Sequence, residues 1–244
     1  MRQIQSLKLS CVQPFAILIA LVLLPCASAV AADYPDPSRW DYTMSGFELA
    51  DEIDDIKPGG IVLTGSSSMR FWGRRIHQDL APLSVVSRGF GGSNMNDVFH
   101  HIDTLVLKHK PRAVVIYEGD NDIAQDVPVE VVVAKFRQSI NKIHAELPTT
   151  RVYLVSVKPS LSRAAMWEDM SRVNSGLEKM AQRDPRITYI DVGAHMFDAQ
   201  GEMRTDIYVK DKLHLNQKGY DIWSDAISEV LLTNEVQYEF PRIR

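Results

Sequence analysis

The stretch "IVLTGSSSMRFW" occupies residues 61 to 72 and joins an apolar run to three consecutive serines. The run "IVLTG" (61–65) is typical of a strand that is buried on both faces of a parallel sheet. The serines then fall in the turn that leaves this strand. A run of serines by itself favours a turn, because a short hydroxyl side chain bonds nearby backbone groups. The rest of the chain must therefore show whether one of them has a chemical role.

Four later runs share this apolar, β-branched character. They are "SVVSRGF" (84–90), "AVVIYEG" (113–119), "RVYLVSV" (151–157) and "ITYIDV" (187–192). Segments with apolar residues at three- and four-residue steps lie between or after them and predict helices at 128–147, 164–182 and roughly 217–232. The alternation predicts an α/β fold with three layers, α/β/α, around a five-stranded parallel sheet.

The second predicted helix carries a stripe that includes Met166, Met170 and Met180. Such a stripe is expected to pack against the sheet rather than to line a ligand site.

The segment 33–45 is predicted to be an irregular arm held by Trp40 and Tyr42.

The first 32 residues are predicted to be a secretory signal peptide. Arg2 and Lys8 precede the uncharged run "FAILIALVLL" (15–24), and "CASAVAA" (26–32) supplies small residues suited to cleavage. The run is too short to span a bilayer comfortably, so stable membrane insertion is not expected. Proline before Cys26 fits a lipoprotein signal poorly. We expect residues 33–244 to form a single exported domain, periplasmic or extracellular.

Composition excludes several function classes for the exported chain. Both cysteines, Cys11 and Cys26, lie in the predicted signal peptide, which leaves no thiol for a disulfide, a nucleophile or a metal site. Removing the two positive charges of residues 1–32 changes the net charge from −4 to −6. A mildly acidic chain argues against nucleic acid as a partner. The pair His100–His101 has no further ligand at a suitable spacing, so no metal is expected.

Ligands of such sheets bind outside the carboxyl ends of the strands, so we read the residues that follow each run. The first three runs are followed by the serines, by "RGFGGSN" (88–94) and by "GDNDIA" (119–124). Each of these segments is also compatible with an ordinary turn. The stretch "DKLHLNQKGY" (211–220) follows the last run. Here Asp211 and His214 could supply a base and its orienting carboxylate for a nucleophilic serine.

A second histidine competes for the role of base. His195 follows the fifth run directly, and Asp191 lies four residues before it. This pair is the alternative to His214 and Asp211. The other five histidines fall within or near predicted helices and are expected to be surface or packing residues.

The four segments together, in this order, resemble the conserved blocks of the SGNH (GDSL-type) hydrolase family. "TGSSS" resembles the G-D-S block, "RGFGGS" the glycine block, "GDND" the G-x-N-D block and "DKLH" the D-x-x-H block. The resemblance covers about residues 60 to 223 and implies a flavodoxin-like fold. Ser66 stands where the family usually has aspartate. Met69 and Trp72 match a subgroup with G-S-S-S.

The resemblance implies a catalytic triad of Ser67, His214 and Asp211 that hydrolyses carboxylic esters through an acyl-enzyme. It implies an oxyanion hole formed by the backbone of Ser67 and Gly92 and by the side chain of Asn121, with Gly91 as the alternative glycine. No cofactor is required by this chemistry.

The expected substrate is a small-molecule or carbohydrate ester with a short acyl group, such as an O-acetyl group. A structural or membrane-associated protein, anchored through Cys26 or an uncleaved signal, is one alternative. Two further alternatives keep the same fold. One is a lysophospholipase or thioesterase type of acyl hydrolase. The other is a non-catalytic carbohydrate-binding envelope module of the same fold, because fold alone does not establish activity.

Overall fold

Five parallel strands form the centre of the computed structural model, which describes residues 34–239. In chain order they are β1 Ile61–Gly65, β2 Val85–Gly89, β3 Ala113–Tyr117, β4 Arg151–Val155 and β5 Ile187–Ile190. Their spatial order is β2-β1-β3-β4-β5, and every neighbouring pair is parallel. The predicted five-stranded parallel sheet is confirmed, and each strand lies within its predicted run. The predicted signal peptide lies outside the described residues.

Nine α-helices accompany the sheet within residues 34–239. They are α1 Asp41–Asp54, α2 Ser67–Trp72, α3 Arg75–Asp79, α4 Met95–His100, α5 Ile102–Leu105, α6 Asp120–Ala124, α7 Val129–Glu146, α8 Trp167–Ala181 and α9 Gln217–Glu235. Short 3₁₀ turns lie at Pro37–Trp40, Leu107–His109, Leu161–Met166, Ala194–Met196 and Val236–Tyr238. In this part of the chain, no helix has both the length and the apolar character needed to cross a membrane.

Alternating side chains of the strands build two separate cores, one on each face of the sheet. Val62, Val114 and Val152 face the layer that contains α7 and α8. Residues at the alternate strand positions, such as Leu63 and Tyr117, face the layer of α2, α3 and α9. The layered architecture is therefore as predicted, since successive residues of a strand point to opposite faces. The methionine stripe of α8 packs into the first core, as expected.

The prediction for residues 33–45 is wrong, because most of this segment is helical. The Asp36 carboxylate accepts a hydrogen bond from the backbone N–H of Ser38, which starts a 3₁₀ turn that continues into α1. Met44 is the buried residue of α1, whereas the side chain of Tyr42 is 91% exposed and does not anchor the segment. Trp40 does pack, with its ring 5.4 Å from that of Phe90.

The strand order places a crevice at the carboxyl ends of β1 and β3. The chain leaves β1 toward β2 on one side and later returns to β3 on the other, which is the topological switch point where such sheets bind ligands. Glycine is required here by close packing. A Cβ atom on Gly65 (φ +142°) would lie 2.0 Å from the carbonyl oxygen of Tyr117, and one on Gly89 would lie 2.4 Å from the backbone nitrogen of Arg70.

Candidate active site

The three serines of the opening stretch have different surroundings. Ser67 is the first residue of α2 and is partly exposed, whereas Ser66 and Ser68 are buried. The backbone N–H of Ser66 donates to the carbonyl oxygen of Tyr117 at 3.2 Å, which ties the turn to β3. Only the Ser67 side chain of the three is therefore available to a molecule that approaches from solvent.

A chain of hydrogen bonds joins Ser67 to the segment before α9. The Oγ atom of Ser67 lies 2.8 Å from Nε2 of His214, and Nδ1 of His214 lies 2.6 Å from Oδ2 of Asp211. The other oxygen of Asp211 accepts the backbone N–H groups of Leu213 and His214, both at 2.9 Å. These backbone contacts fix the carboxylate within its own turn. The arrangement can pass a proton from the serine hydroxyl to the imidazole, which the carboxylate then stabilises.

Asp211 remains ionised in this setting. Desolvation by itself would raise the pKa of its carboxyl group, but the hydrogen bonds from the His214 ring and from the two backbone N–H groups outweigh it and lower the pKa to about 2. The side chain is 47% exposed and that of His214 is 24% exposed. The hydrogen-bonded side chains of Ser67, His214 and Asp211 are thus directly accessible to solvent.

The Asn121 side chain lies between the glycine segment and the turn after β4. Its Nδ2 donates to the carbonyl oxygen of Ser93 at 2.8 Å, and its Oδ1 accepts from Nη2 of Arg163 at 2.8 Å. Asn121 sits in α6, directly after β3, at the switch point. One N–H of its amide remains for a ligand.

Both glycines proposed for the oxyanion hole have available backbone N–H groups. Neither Gly91 nor Gly92 donates a backbone hydrogen bond to an acceptor within residues 34–239. A Cβ atom on Gly91 would lie 3.7 Å from that of Ser67, whereas one on Gly92 (φ +84°) would face the Trp40 ring at 3.9 Å. The prediction of Gly92 as donor, with Gly91 as the alternative, is compatible with both available N–H groups, and Gly91 is the glycine whose Cβ position contacts Ser67.

The alternative pair, His195 and Asp191, is not brought to Ser67. Asp191 accepts the backbone N–H groups of Gly193 and Ala194 at 2.9 and 3.1 Å, so its carboxylate caps the turn Ala194–Met196. His195 is exposed and makes no side-chain hydrogen bond to a described residue. Asp191 thus has a local structural role.

A buried ionic cluster, which was not predicted from the sequence, lies beside Asn121. Asp120 Oδ2 lies 3.2 Å from Nη1 of Arg163, 3.7 Å from Nζ of Lys158 and 3.3 Å from the hydroxyl of Tyr117. Lys158 is fully buried, and desolvation lowers the pKa of its ammonium group even though Asp120 opposes this shift. Lys158 and Arg163 both follow β4. Their position after a strand end was the feature of the sequence that could have indicated a place at the site.

Buried carboxyl groups support the glycine segment from behind. Ser93 Oγ donates to Glu118 at 2.5 Å, and Asp122 accepts from the backbone N–H of Met95 at 3.0 Å. Burial raises the pKa of Asp122 to about 6 and raises that of Glu118 well above its ordinary value. Within the described residues, no group of three or more His, Cys, Asp and Glu side chains is arranged to hold a metal ion.

A parallel sheet that joins a hydroxyl, an imidazole and a carboxylate at its carboxyl edge is the arrangement expected from the resemblance to SGNH hydrolases. The chain belongs to the GDSL-like Lipase/Acylhydrolase family, whose model matches residues 55–222. Membership of this family makes residues 55–222 a carboxylic ester hydrolase domain.

Several solved structures share this fold. A protein of Bacteroides fragilis that is provisionally called an acylhydrolase has a TM-score of 0.66 and 19% identity, covering 82% of this chain and 98% of its own. A GDSL-like lipase of Bacteroides thetaiotaomicron has a TM-score of 0.63 and 20% identity, covering 81% and 98%. A catalytic mutant of an acetylxylan esterase of Geobacillus stearothermophilus has a TM-score of 0.58 and 16% identity, covering 71% and 94%. At these identities the likeness concerns the fold.

One curated protein is also similar in sequence. The N-acylneuraminate cytidylyltransferase of Escherichia coli O18:K1:H7 (strain RS218 / NMEC) is 23% identical over 186 residues, which are 75% of this chain and 42% of that protein. The chain therefore spans about two fifths of the length of this relative.

Proposed function

We propose that Ser67, His214 and Asp211 are the catalytic triad of a serine esterase that removes small acyl groups, such as O-acetyl groups of carbohydrates. The observation that carries this proposal is the unbroken hydrogen-bonded chain from the Ser67 hydroxyl through His214 to Asp211, at 2.8 and 2.6 Å. These distances are within the range expected for a nucleophile, its general base and the residue that orients the base.

Each step of the reaction has a candidate group in this arrangement. Ser67 Oγ attacks the ester carbonyl carbon while His214 Nε2 takes the hydroxyl proton. The backbone N–H groups of Ser67 and Gly92 and the side-chain amide of Asn121 stabilise the oxyanion. His214 then protonates the departing alcohol, which leaves an acyl group on Ser67. Water activated by His214 hydrolyses this acyl-enzyme and restores the serine.

Exposed side chains beside His214 favour an ester substrate that joins a bulky alcohol to a small acyl group. The Phe71 side chain is 53% exposed, and its ring meets that of His214 edge to face at 5.0 Å. Arg70 is exposed beside it, with its guanidinium 5.9 Å from the Phe71 ring. An exposed aromatic ring beside the base offers a flat apolar surface for a sugar or another large leaving group. Because an acetylxylan esterase shares the fold, acetylated xylan is a suitable first test substrate.

The chain-length profile tests the proposal. The purified full-length chain is assayed with 4-nitrophenyl esters from acetate to dodecanoate and with acetylated xylan. We expect the highest kcat/KM on the shortest acyl groups. A maximum at long acyl chains would favour the lysophospholipase or thioesterase type instead. Absence of hydrolysis with every ester would favour a binding module.

Replacement of Phe71 by alanine is expected to raise KM for acetylated xylan about two- to tenfold, the effect of losing one aromatic contact. KM for 4-nitrophenyl acetate should change less, since its leaving group covers less surface. Initial rates of acetate release measure both. Tyr42→Ala is the matched control, because Tyr42 is an exposed aromatic residue on α1. An unchanged KM for xylan in Phe71→Ala would contradict the proposed surface.

The serine at position 66 supports membership of the subgroup with G-S-S-S. Ser66 is fully buried, and its hydroxyl has no hydrogen-bond partner among the described residues. A neutral hydroxyl without a partner costs less in a buried site than a carboxylate without a partner would. A small neutral side chain suits these surroundings.

We propose further that residues 1–32 are removed during export and that the protein acts in the periplasm or outside the cell. The charged start, apolar run and small residues of this segment support the proposal. Expression in a bacterial host, followed by cell fractionation and N-terminal sequencing, tests it. We expect the exported protein to begin at Asp33. A chain that begins at Met1, or a lipid-modified chain that begins at Cys26, would contradict it.

A further inference from the structure

We propose that Arg163 is a positioning residue that holds the Asn121 carboxamide with an N–H group directed at the oxyanion. The inference rests on the proposed function, because it concerns how one donor of the proposed oxyanion hole is oriented. Arg163 lies in the turn Leu161–Met166 after β4, 42 residues from Asn121. No motif of the family resemblance includes it.

An asparagine side chain has two orientations of nearly equal shape, and only its partners decide between them. The carbonyl oxygen of Ser93 can only accept a hydrogen bond, and it lies 2.8 Å from Nδ2 of Asn121. The guanidinium of Arg163 can only donate, and its Nη2 lies 2.8 Å from Oδ1 of Asn121. Both partners therefore enforce the same orientation. The second N–H of Nδ2 is left for the substrate oxygen.

Buried neighbours hold Arg163 itself in place. Its Nη1 lies 3.2 Å from Oδ2 of Asp120, and these side chains are only 16% and 5% exposed. This contact is ionic, and Asp120 accepts a hydrogen bond from the hydroxyl of Tyr117 at 3.3 Å. Asp120 immediately precedes Asn121, so one short segment supplies both the carboxylate that holds the guanidinium and the amide that the guanidinium orients. The planar fork of arginine can meet both groups at once.

The charge of Arg163 also affects the donor strength of Asn121. A cation that donates to Oδ1 polarises the amide, and hydrogen bonds in such a chain strengthen one another. The remaining N–H becomes a better donor to an oxygen that gains negative charge. This benefit grows as the tetrahedral intermediate forms, so the loss of Arg163 should lower kcat more than it changes KM.

A double-mutant cycle on 4-nitrophenyl acetate tests the coupling, with Asn121→Ala, Arg163→Met and the combined variant of the full-length chain. Loss of an oxyanion donor should lower kcat about 100- to 1000-fold in Asn121→Ala. We expect a loss of kcat of about tenfold or more in Arg163→Met, with KM changed less than about twofold. The combined variant should be no slower than Asn121→Ala alone, because Arg163 acts through Asn121.

Two further variants separate positioning from a general loss of structure. Arg163→Lys keeps a cation near Asp120, but a lysine ammonium cannot reach both partners with the geometry of a guanidinium. If Arg163→Met does not fold, the cycle is run with Arg163→Lys, for which a several-fold loss of kcat is expected only when Asn121 is present. Arg172→Met is the matched control, because Arg172 is an exposed arginine of α8 that pairs with Glu130 and Asp169. We expect full activity from this control.

The outcomes distinguish the inference from the function on which it rests. If Arg163 variants lower kcat by the same factor with and without Asn121, or if they keep full activity, the positioning role is overturned while the esterase stands. If Asn121→Ala keeps full activity, Asn121 is not an oxyanion donor, and both that part of the proposed function and the role of Arg163 fail.

Discussion

Replacement of Ser67 by alanine is expected to abolish ester hydrolysis, with kcat reduced by about 10⁵- to 10⁶-fold. The variant lacks the oxygen that would form the acyl-enzyme, while its small side chain still fits the first turn of α2. His214 would keep its contact with Asp211, so the rest of the site should keep its geometry. Rates with 4-nitrophenyl acetate and thermal unfolding of both proteins measure the effect. The unfolding temperature should change little, because Ser67 is only partly buried.

Two neighbouring serines provide matched controls for Ser67. Ser66→Ala and Ser68→Ala remove the same atom one position before and after the proposed nucleophile, but from buried side chains. Both should retain most of the activity. A fluorophosphonate reagent should label Ser67 in these two variants and should label nothing in Ser67→Ala, as judged by peptide mass spectrometry. Full activity in Ser67→Ala, or a label on Ser66 or Ser68, would show that the nucleophile is another residue.

Replacement of Asp211 by asparagine is expected to lower kcat by about 100- to 10,000-fold. The neutral amide can present an N–H group to Nδ1 of His214, which would favour the wrong tautomer and would no longer stabilise the imidazolium. Asp211 is half-exposed, so water can replace part of this stabilisation in the variant. The loss of kcat should therefore be smaller than the loss from replacing a buried carboxylate. KM should change little, because Asp211 lies behind the imidazole.

A pH series gives this prediction a second readout. The pKa of Asp211 is lowered to about 2 in the folded protein, below its ordinary value of about 4. Its ionised form therefore stabilises the fold above about pH 4, and this contribution is lost as the pH falls toward 2. The free energy of unfolding of Asp211→Asn should show a shallower decline in that range.

Asp206→Asn is the matched control for both measurements. The pKa of Asp206 is also lowered to about 2, by hydrogen bonds from Arg204 and Lys218, and its side chain is exposed to a similar extent. Its stability profile should therefore resemble that of Asp211→Asn, while its kcat should equal that of the unchanged protein. A kcat loss in Asp206→Asn as large as that in Asp211→Asn would argue against a specific role for Asp211.

Sequence patterns predicted the strands well because burial on both faces leaves a local signature. The runs at 61–65 and 113–119 are mostly apolar, and the corresponding strands are buried at every residue. The N-terminal arm was predicted wrongly for a related reason. In α1 only Met44 is fully buried, and exposed apolar residues such as Tyr42 and Leu49 blur its helical period. A helix with so narrow a buried face has a weak signature in the sequence.

In the candidate site, too, some features could be predicted from the sequence and others could not. The sequence by itself determined that five strands alternate with helices and that Ser67, Asn121, Asp211 and His214 follow strand ends, since both facts depend on residues close together in the chain. The family resemblance already favoured His214 over His195, but only the tertiary structure shows that His214 meets Ser67 across 147 residues. It alone showed that Arg163 reaches Asn121. Contacts of this kind depend on which strands are neighbours and on how far each loop extends over the sheet edge, and no local pattern carries that information.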